Sequence, residues 1–158
     1  MIIPDKYILA HNSVPSQGKL MAIDVGTRRI GIADSCELQT LTTPRLIIDR
    51  KSNEIDFTKI KDFILESNIK AIIVGYPTHM DGKSNQMTEF SINFTKGLNN
   101  FLQSHEINLP ITMFDERLSS FEAQEIARSL PSRKKQKHFD DIAARVILDD
   151  FIYFRNSQ

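Results

Sequence analysis

The 158-residue sequence lacks several features that define common protein classes. No apolar run approaches the roughly 20 residues that a membrane-spanning helix needs. Residues 1–20 have no basic segment followed by an apolar one, so they do not resemble a secretory signal. The single cysteine, Cys36, cannot form an intramolecular disulfide, which fits a reducing compartment. These absences predict a cytoplasmic protein that is neither secreted nor embedded in a membrane.

An excess of charge of either sign is also missing. The chain carries 20 basic and 20 acidic side chains, for a formal net charge of zero. Proteins that neutralise nucleic-acid phosphates usually have a positive excess, so this balance counts against nucleic-acid binding unless the basic residues are clustered. The four histidines are scattered and no second cysteine is present, which excludes a zinc site with the usual ligand spacing.

What is present is the composition of a globular protein, with 41% apolar residues and ten phenylalanines but no tryptophan. A chain of this length fits one compact domain. Residues 1–18 contain two prolines and one glycine without clear periodicity. We expect them to form an N-terminal extension, either a poorly ordered tail or a segment draped over the surface. A single compact domain is expected over residues 19–155.

The hydrophobic pattern predicts an α/β fold. Three short extended runs come first, at residues 20–26, 30–34 and 44–48, and their spacing predicts an antiparallel meander. Helical spacing over residues 55–64, a buried strand at 71–75, a long amphipathic helix over 87–102 and a strand at 109–114 follow. A capping box predicts a helix over 119–130, and a basic loop at 131–138 leads into a last helix over 140–154. We expect a mixed five-stranded sheet with helices on both faces.

Carboxylates follow two of the apolar strands. Asp24 ends the first strand, and Asp115 and Glu116 follow the last. Side chains at such strand ends commonly line the ligand crevice of an open α/β sheet. Asp24 can equally form an Asx turn into the hairpin. Adjacent strand residues point to opposite faces, so we expect only one of Asp115 and Glu116 to enter a site, and both can instead pair with Arg117 or cap the next helix.

A third acidic pair, Asp140 and Asp141, stands at the expected start of the last helix, where carboxylates complement the helix dipole whatever the function. Several carboxylates that converge on one sheet edge repel one another unless they hold a divalent cation. Oxygen-only ligation suits Mg²⁺ or Mn²⁺, and two such ions about 4 Å apart assist phosphodiester hydrolysis. The candidate metal ligands are therefore Asp24, Asp115, Glu116 and one of the pair Asp140 and Asp141.

Four segments carry a family pattern in the order in which they occur. They are Ala22-Ile23-Asp24-Val25-Gly26-Thr27-Arg28-Arg29-Ile30-Gly31, Ile73-Val74-Gly75-Tyr76-Pro77 with Met80-Asp81-Gly82, Asp115-Glu116-Arg117-Leu118-Ser119-Ser120, and Asp140-Asp141-Ile142-Ala143-Ala144 with Ile147-Leu148. Over residues 20–154 the sequence resembles the YqgF/RuvX family of pre-16S ribosomal RNA nucleases, also described as Holliday-junction-resolvase-like. Tyr76 and Thr78-His79 stand where many relatives carry Leu and Leu-Asn, and these differences would alter substrate contacts.

The resemblance implies a ribonuclease-H-like fold with catalytic acids at the ends of the first and fifth strands and on the final helix. By position, these acids are Asp24, Glu116 (or its neighbour Asp115) and Asp140, which is favoured over Asp141. The implied activity is processing of the 5′ end of pre-16S rRNA in ribosome biogenesis. A Holliday-junction resolvase and a non-catalytic nucleic-acid-binding module of the same fold are the alternatives. A resolvase that acts on a two-fold junction requires a symmetric homodimer, whereas a monomer would favour RNA processing.

Basic residues cluster beside the predicted site despite the neutral net charge. Two arginines occupy the first hairpin, where they can bind a phosphate or remain in a solvated turn. The basic run before Asp140 is more consistent with contacts to backbone phosphates than with a merely solvated loop, because it adjoins the acids. The predicted nucleic-acid contacts are Arg28, Arg29, Arg117, Arg133, Lys134, Lys135 and Lys137.

Overall fold

The computed structural model describes residues 13–76, 86–115 and 132–157, and their side chains except those of residues 76 and 132–141. In chain order the elements are β1 (Lys19–Val25), β2 (Arg29–Ser35), β3 (Thr42–Asp49), α1 (Asn53–Ser67), β4 (Ile69–Tyr76), α2 (Gln86–Ser104), β5 (Ile111–Asp115) and α3 (Ser132–Asn156). Each matches a predicted element in type and in approximate position. The helix predicted over residues 119–130 lies outside the described residues.

The five strands form one mixed sheet in the order β3-β2-β1-β4-β5. Strand β2 is antiparallel to both β1 and β3, and β4 is parallel to both β1 and β5. The parallel pairing of β1 with β4 requires a long connection, which α1 supplies. Ile72, Ile73 and Val74 of β4 are fully buried, as expected for an inner strand covered on both faces. The predicted antiparallel meander of β1, β2 and β3 is therefore confirmed, as is the alternation of β4 and β5 with helices.

The sheet has two faces, each covered by different helices. Met21, Ile23 and Val25 of β1 join one core cluster together with the buried side of α1 and α2. Leu20 and Ala22 alternate with them and join a second cluster, together with residues of α3. We name these the α1/α2 face and the α3 face. Helices on both faces, as predicted, position the strand ends between them.

Helix α3 begins earlier than the sequence suggested. It starts at Ser132, about two turns before Asp140, so the prediction of a basic loop at 131–138 is wrong from residue 132 onward. Arginine, lysine and glutamine are strong helix formers, and no glycine or proline interrupts the segment. The free N–H groups of a helix belong to its first turn, and Asp140 lies beyond that turn. Complementing the helix dipole does not explain the acidic pair.

Part of the N-terminal extension packs on the domain. Val14 is buried in the α3-face cluster, and the side-chain amide of Gln39 donates to the carbonyl oxygens of Pro15 and Gly18, at 2.9 Å each. These contacts attach the segment around Val14 and Pro15 to the domain, whereas residues 1–12 lie outside the described residues. The boundary at residue 18 stays a prediction. No helix in the described ranges is long and apolar enough to cross a membrane.

Candidate active site

Asp24 lies in β1, one residue before the strand ends, and is paired with Gly31 of β2. Because it follows Ala22 by two positions, strand alternation places its side chain on the α3 face. The carboxylate is partly exposed, in contrast to the buried residues Ala22, Ile23 and Val25 around it. Gly31 contributes no side chain beside it. Asp24 therefore stands near the carboxyl end of an inner strand, opposite a residue that has no side chain.

The β1–β2 hairpin explains the glycine that follows Asp24. The amide N of Gly26 donates to the carbonyl O of Arg29 at 2.9 Å, which closes the turn. A Cβ atom on residue 26 would lie 2.5 Å from that same oxygen, so any side chain would push the hairpin open. An Asx turn at Asp24 would use this same N–H group of Gly26. The backbone closure of the hairpin therefore argues against the Asx-turn alternative.

The hairpin carries the first two predicted phosphate contacts into solvent. Arg28 and Arg29 are both exposed. Arg29 Nε lies 3.6 Å from the Asp49 carboxylate, and the two side chains are 42% and 82% exposed. Such a surface pair contributes at most about 1 kcal/mol. A phosphate can therefore compete with Asp49 for Arg29 at little cost, and Arg28 is exposed in the same hairpin.

Asp115 ends β5, and its neighbour Phe114 shows which face of the sheet it occupies. Phe114 belongs to the α3-face cluster, and its ring lies 6.0 Å from that of Phe151 and 5.9 Å from that of Phe154. Asp115 comes next and pairs with Tyr76 in the parallel ladder, so it falls on the alternate, α1/α2 face. This is the face opposite to Asp24. Glu116 and Arg117 lie outside the described residues.

Contacts at the carboxyl end of α3 fix its direction across the sheet. Arg155 donates to the carbonyl O of Pro15 at 3.2 Å, just before β1 begins. The hydroxyl of Thr42 donates to the carboxylate of Asp149, and Thr42 is paired with Ser35, whose hydroxyl accepts from the amide of Leu20 at the start of β1. Helix α3 therefore runs opposite to β1. Its earlier residues lie toward the end of β1 that carries Asp24.

Small side chains allow α3 to approach the sheet closely. Ala143 and Ala144, one turn after Asp140, are 8% and 1% exposed. The backbone of Asp140 is helical, but the structure describes no side chain for it, nor for the predicted phosphate contacts Arg133, Lys134, Lys135 and Lys137. Within residues 13–76, 86–115 and 132–157, no group of three His, Cys, Asp or Glu side chains can hold a metal ion. The cation site stays a prediction, because two of its proposed ligands fall outside that description.

One residue near the site escaped the sequence analysis. Arg50 follows β3 directly, and its side chain is only 12% exposed. Its Nε lies 3.2 Å from the fully buried carboxylate of Asp56, and its amide N donates to the carbonyl O of Arg28 at 2.9 Å. Charged residues that follow a strand, as here, usually indicate a solvated turn. The only available signal was the acid placed in the first turn of the next helix.

Sequence comparisons identify relatives over most of the chain. A protein of Halothermothrix orenii with the name "Putative pre-16S rRNA nuclease" is 36% identical over 140 residues, which cover 87% of this chain and 96% of the relative. A protein of the same name from Maridesulfovibrio salexigens is 31% identical over 136 residues, which cover 85% and 97%.

Structural comparison shows which known fold the chain shares. T. thermophilus RuvC in complex with a Holliday junction substrate superposes with a TM-score of 0.54 at 12% identity, covering 87% of this chain and 94% of RuvC. At this identity the likeness shows the fold, and it confirms the predicted ribonuclease-H-like architecture. A family model described as "RuvX: Holliday junction resolvase" matches residues 18–153. The chain therefore belongs to the RuvX family.

Proposed function

We propose that this protein is a metal-dependent nuclease that hydrolyses phosphodiester bonds at the 5′ end of pre-16S rRNA, in the cytoplasm. The observation that carries the proposal is the placement of Asp24. Its partly exposed carboxylate ends an inner strand on the α3 face, beside a hairpin that presents Arg28 to solvent. The relatives at 31% and 36% identity carry the name of a pre-16S rRNA nuclease, which supports the choice of RNA.

The proposed catalytic acids are Asp24, Glu116 and Asp140. We infer Glu116 rather than Asp115 because Phe114 faces α3 and an extended chain returns to the same face two residues later. Asp140 is supported by the direction of α3, whose earlier residues lie toward the carboxyl end of β1. Its position past the first helical turn removes the ordinary reason for an acid there. These three carboxylates would then converge from β1, the end of β5 and α3.

The donor set fits a hard divalent cation. All the proposed ligands are carboxylate oxygens, which Mg²⁺ and Mn²⁺ prefer, and Asp24 is partly exposed opposite a glycine. Such an ion, when bound, supplies a more acidic water and neutralises charge on the leaving oxygen of a phosphodiester. Asp24, Glu116 and Asp140 would hold it. No site of soft or nitrogen ligands competes among the described residues.

The remaining work falls to basic side chains that bind and orient the polynucleotide. Arg28 can grip one phosphate with two parallel hydrogen bonds, since guanidinium and phosphate have matching geometry. The first turns of α3 carry Arg133, Lys134, Lys135 and Lys137 just before Asp140 in the chain. Together with Arg29 and Arg117, these residues would hold the backbone across the carboxylates. Their clustering accounts for nucleic-acid binding by a protein of zero net charge.

The test is an Asp24→Asn variant, with Asp49→Asn as the matched control. Asp49 lies near the same hairpin, but its side chain is 82% exposed and forms a surface ion pair with Arg29. Both proteins are assayed for Mg²⁺- and Mn²⁺-dependent cleavage of an RNA spanning the 5′ end of 16S rRNA, and of a four-way DNA junction. We expect Asp24→Asn to lose about a hundredfold or more in kcat and Asp49→Asn to retain full activity.

Each other outcome has a defined meaning. Full activity of a folded Asp24→Asn protein would remove Asp24 from the site. Cleavage of the junction but not of the RNA, by a protein that is dimeric in light scattering, would favour the resolvase alternative. Binding of both substrates without turnover under either metal would favour a non-catalytic module.

A further inference from the structure

The guanidinium of Arg50 is enclosed between elements from three parts of the chain. Besides its contact with Asp56, it donates through one terminal nitrogen to the side-chain oxygen of Asn53 at 2.7 Å and through the other to the carbonyl O of Gly26 at 3.4 Å. Asp56 is itself fixed, because its second oxygen accepts from the amide of Lys51 at 3.2 Å. The charge is therefore compensated and hydrogen-bonded, as a buried ion pair requires.

Two aromatic rings of α2 complete this enclosure. The Arg50 guanidinium carbon lies 5.2 Å from the ring centroid of Phe90 and 5.4 Å from that of Phe94. Such cation–π contacts are stronger when the cation is largely removed from water, as the Arg50 side chain is. Lysine has a point charge and no planar fork, so it cannot make these hydrogen bonds and ring contacts together. The site selects arginine by shape as well as by charge.

Both sides of the β1–β2 hairpin are attached to this one residue. The amide of Arg50 donates to the carbonyl O of Arg28 at 2.9 Å, while its side chain reaches the carbonyl O of Gly26 at 3.4 Å. Gly26 stands two residues after Asp24, and Arg28 is a proposed phosphate contact. The hairpin that bears the proposed catalytic acid is thereby held against α1 and α2 through Arg50.

We propose that Arg50 is a positioning residue that fixes the orientation of this hairpin and, through it, of the Asp24 carboxylate. Its catalytic consequence rests on the proposed nuclease function, while its structural consequence does not. A displacement of about 1 Å in a reacting group can lower the rate about a hundredfold. The loss of the fork to Gly26 and Asp56 should therefore lower kcat more than it changes KM for the polynucleotide, because the main-chain bond to Arg28 remains.

The experiment compares Arg50→Lys with Arg45→Lys. Arg45 lies in β3, the strand that Arg50 follows, and it also contacts a buried acid and an aromatic ring, since its Nε is 3.9 Å from Asp34 and its guanidinium is 5.9 Å from the Phe63 ring centroid. It stands at the irregularity between the pairs Ile32–Leu46 and Ala33–Pro44, away from the hairpin. Amide hydrogen exchange is measured by NMR at Gly26, with Leu20 at the start of β1 as the internal reference, alongside kcat and KM.

We expect Arg50→Lys to raise exchange at Gly26 at least tenfold relative to Leu20, and to lower kcat about ten- to a hundredfold with KM within threefold. Arg45→Lys should leave the Gly26-to-Leu20 exchange ratio and kcat unchanged even where it lowers Tm. This control separates positioning of the hairpin from general destabilisation. Unchanged exchange or unchanged kcat in folded Arg50→Lys would overturn the inference. If the wild-type protein cleaves no substrate, the nuclease proposal fails and the exchange ratio alone decides the role of Arg50.

A second variant covers the case in which Arg50→Lys does not fold. Asn53→Ala removes one exposed acceptor of the guanidinium and leaves Asp56 and Gly26 in place. We then expect a smaller rise of exchange at Gly26, about threefold, with the same direction in kcat. No change in Gly26 exchange in this folded variant would overturn the inference as well.

Discussion

The two faces of the sheet are packed with side chains of different size. On the α1/α2 face, phenylalanines interlock, and Phe57 packs edge-on against Phe94 with ring centroids 5.2 Å apart. On the α3 face, the strands contribute the small residues Ala22 and Ala71, and Ala144 of the helix is buried as well, next to the cluster residues Ile147, Leu148 and Phe151. The first face fills space with large side chains. The small side chains of the second let a helix approach the strands closely on the face that carries Asp24.

The largest effect expected from this difference is on stability, from the α1/α2 face. Phe57→Ala removes a side chain that is 5% exposed and that also contacts Phe101, with ring centroids 5.7 Å apart. The cavity should lower the free energy of unfolding by about 3–5 kcal/mol, as measured by urea denaturation. Activity per folded molecule should stay within twofold of wild type. A loss of activity larger than the loss of folded protein would show that the faces are not separable in this way.

A smaller loss of stability with a larger loss of function is expected from the α3 face. Ala144→Leu inserts three carbon atoms at a position that is 1% exposed. Overpacking costs about 1–3 kcal/mol, and α3 can relieve it by moving away from the strands. We expect metal-dependent cleavage to fall at least tenfold while urea denaturation shows a modest change. Retained cleavage would mean that the close approach of α3 is not needed by the site, and Ala144→Gly serves as the small-residue control.

The smallest effect concerns a residue in neither face. The Thr40 hydroxyl and then the backbone amides of Thr40 and Leu41 lower the pKa of Cys36 from 9.0 to about 7, because they hydrogen-bond its sulfur. Alkylation by iodoacetamide should be half-maximal near pH 7, and Thr40→Ala should move this midpoint toward 9. A midpoint near 9 in the unmodified chain would contradict the contacts in the β2–β3 turn.

The same shift has a consequence for stability with a defined sign. A thiol whose folded-state pKa is depressed favours the folded state above the unfolded pKa of 9.0, and this contribution is lost as the pH falls through about 7. The midpoint of alkylation should be identical in Phe57→Ala and Ala144→Leu. A shift in either variant would show that a change in that face reaches the turn.

Sequence patterns predicted the sheet well, because β4 reads as a continuous branched run and the first three strands are joined by short turns. They did not decide between Asp115 and Glu116. Residues 111–114 are nearly all buried, so no alternation between polar and apolar residues shows which face each occupies. The face that each residue of β5 occupies is shown instead by the packing of Phe114 on Phe151. The start of α3 at Ser132 does not follow from the pattern, because a run of basic residues is typical of a solvated loop. Their high intrinsic helix propensity is the signal that favours a helix there.

The early start of α3 also changes what nucleic-acid binding would cost. Had residues 132–138 formed a loop, contact with a phosphate backbone would have to order them, at about 1–2 kcal/mol per residue of backbone entropy. As part of a helix that runs from Ser132 to Asn156, their main chain already has a fixed shape. The main chain of the basic segment is preorganised, so binding to a polynucleotide would not incur this backbone cost, although the long basic side chains would still have to be ordered.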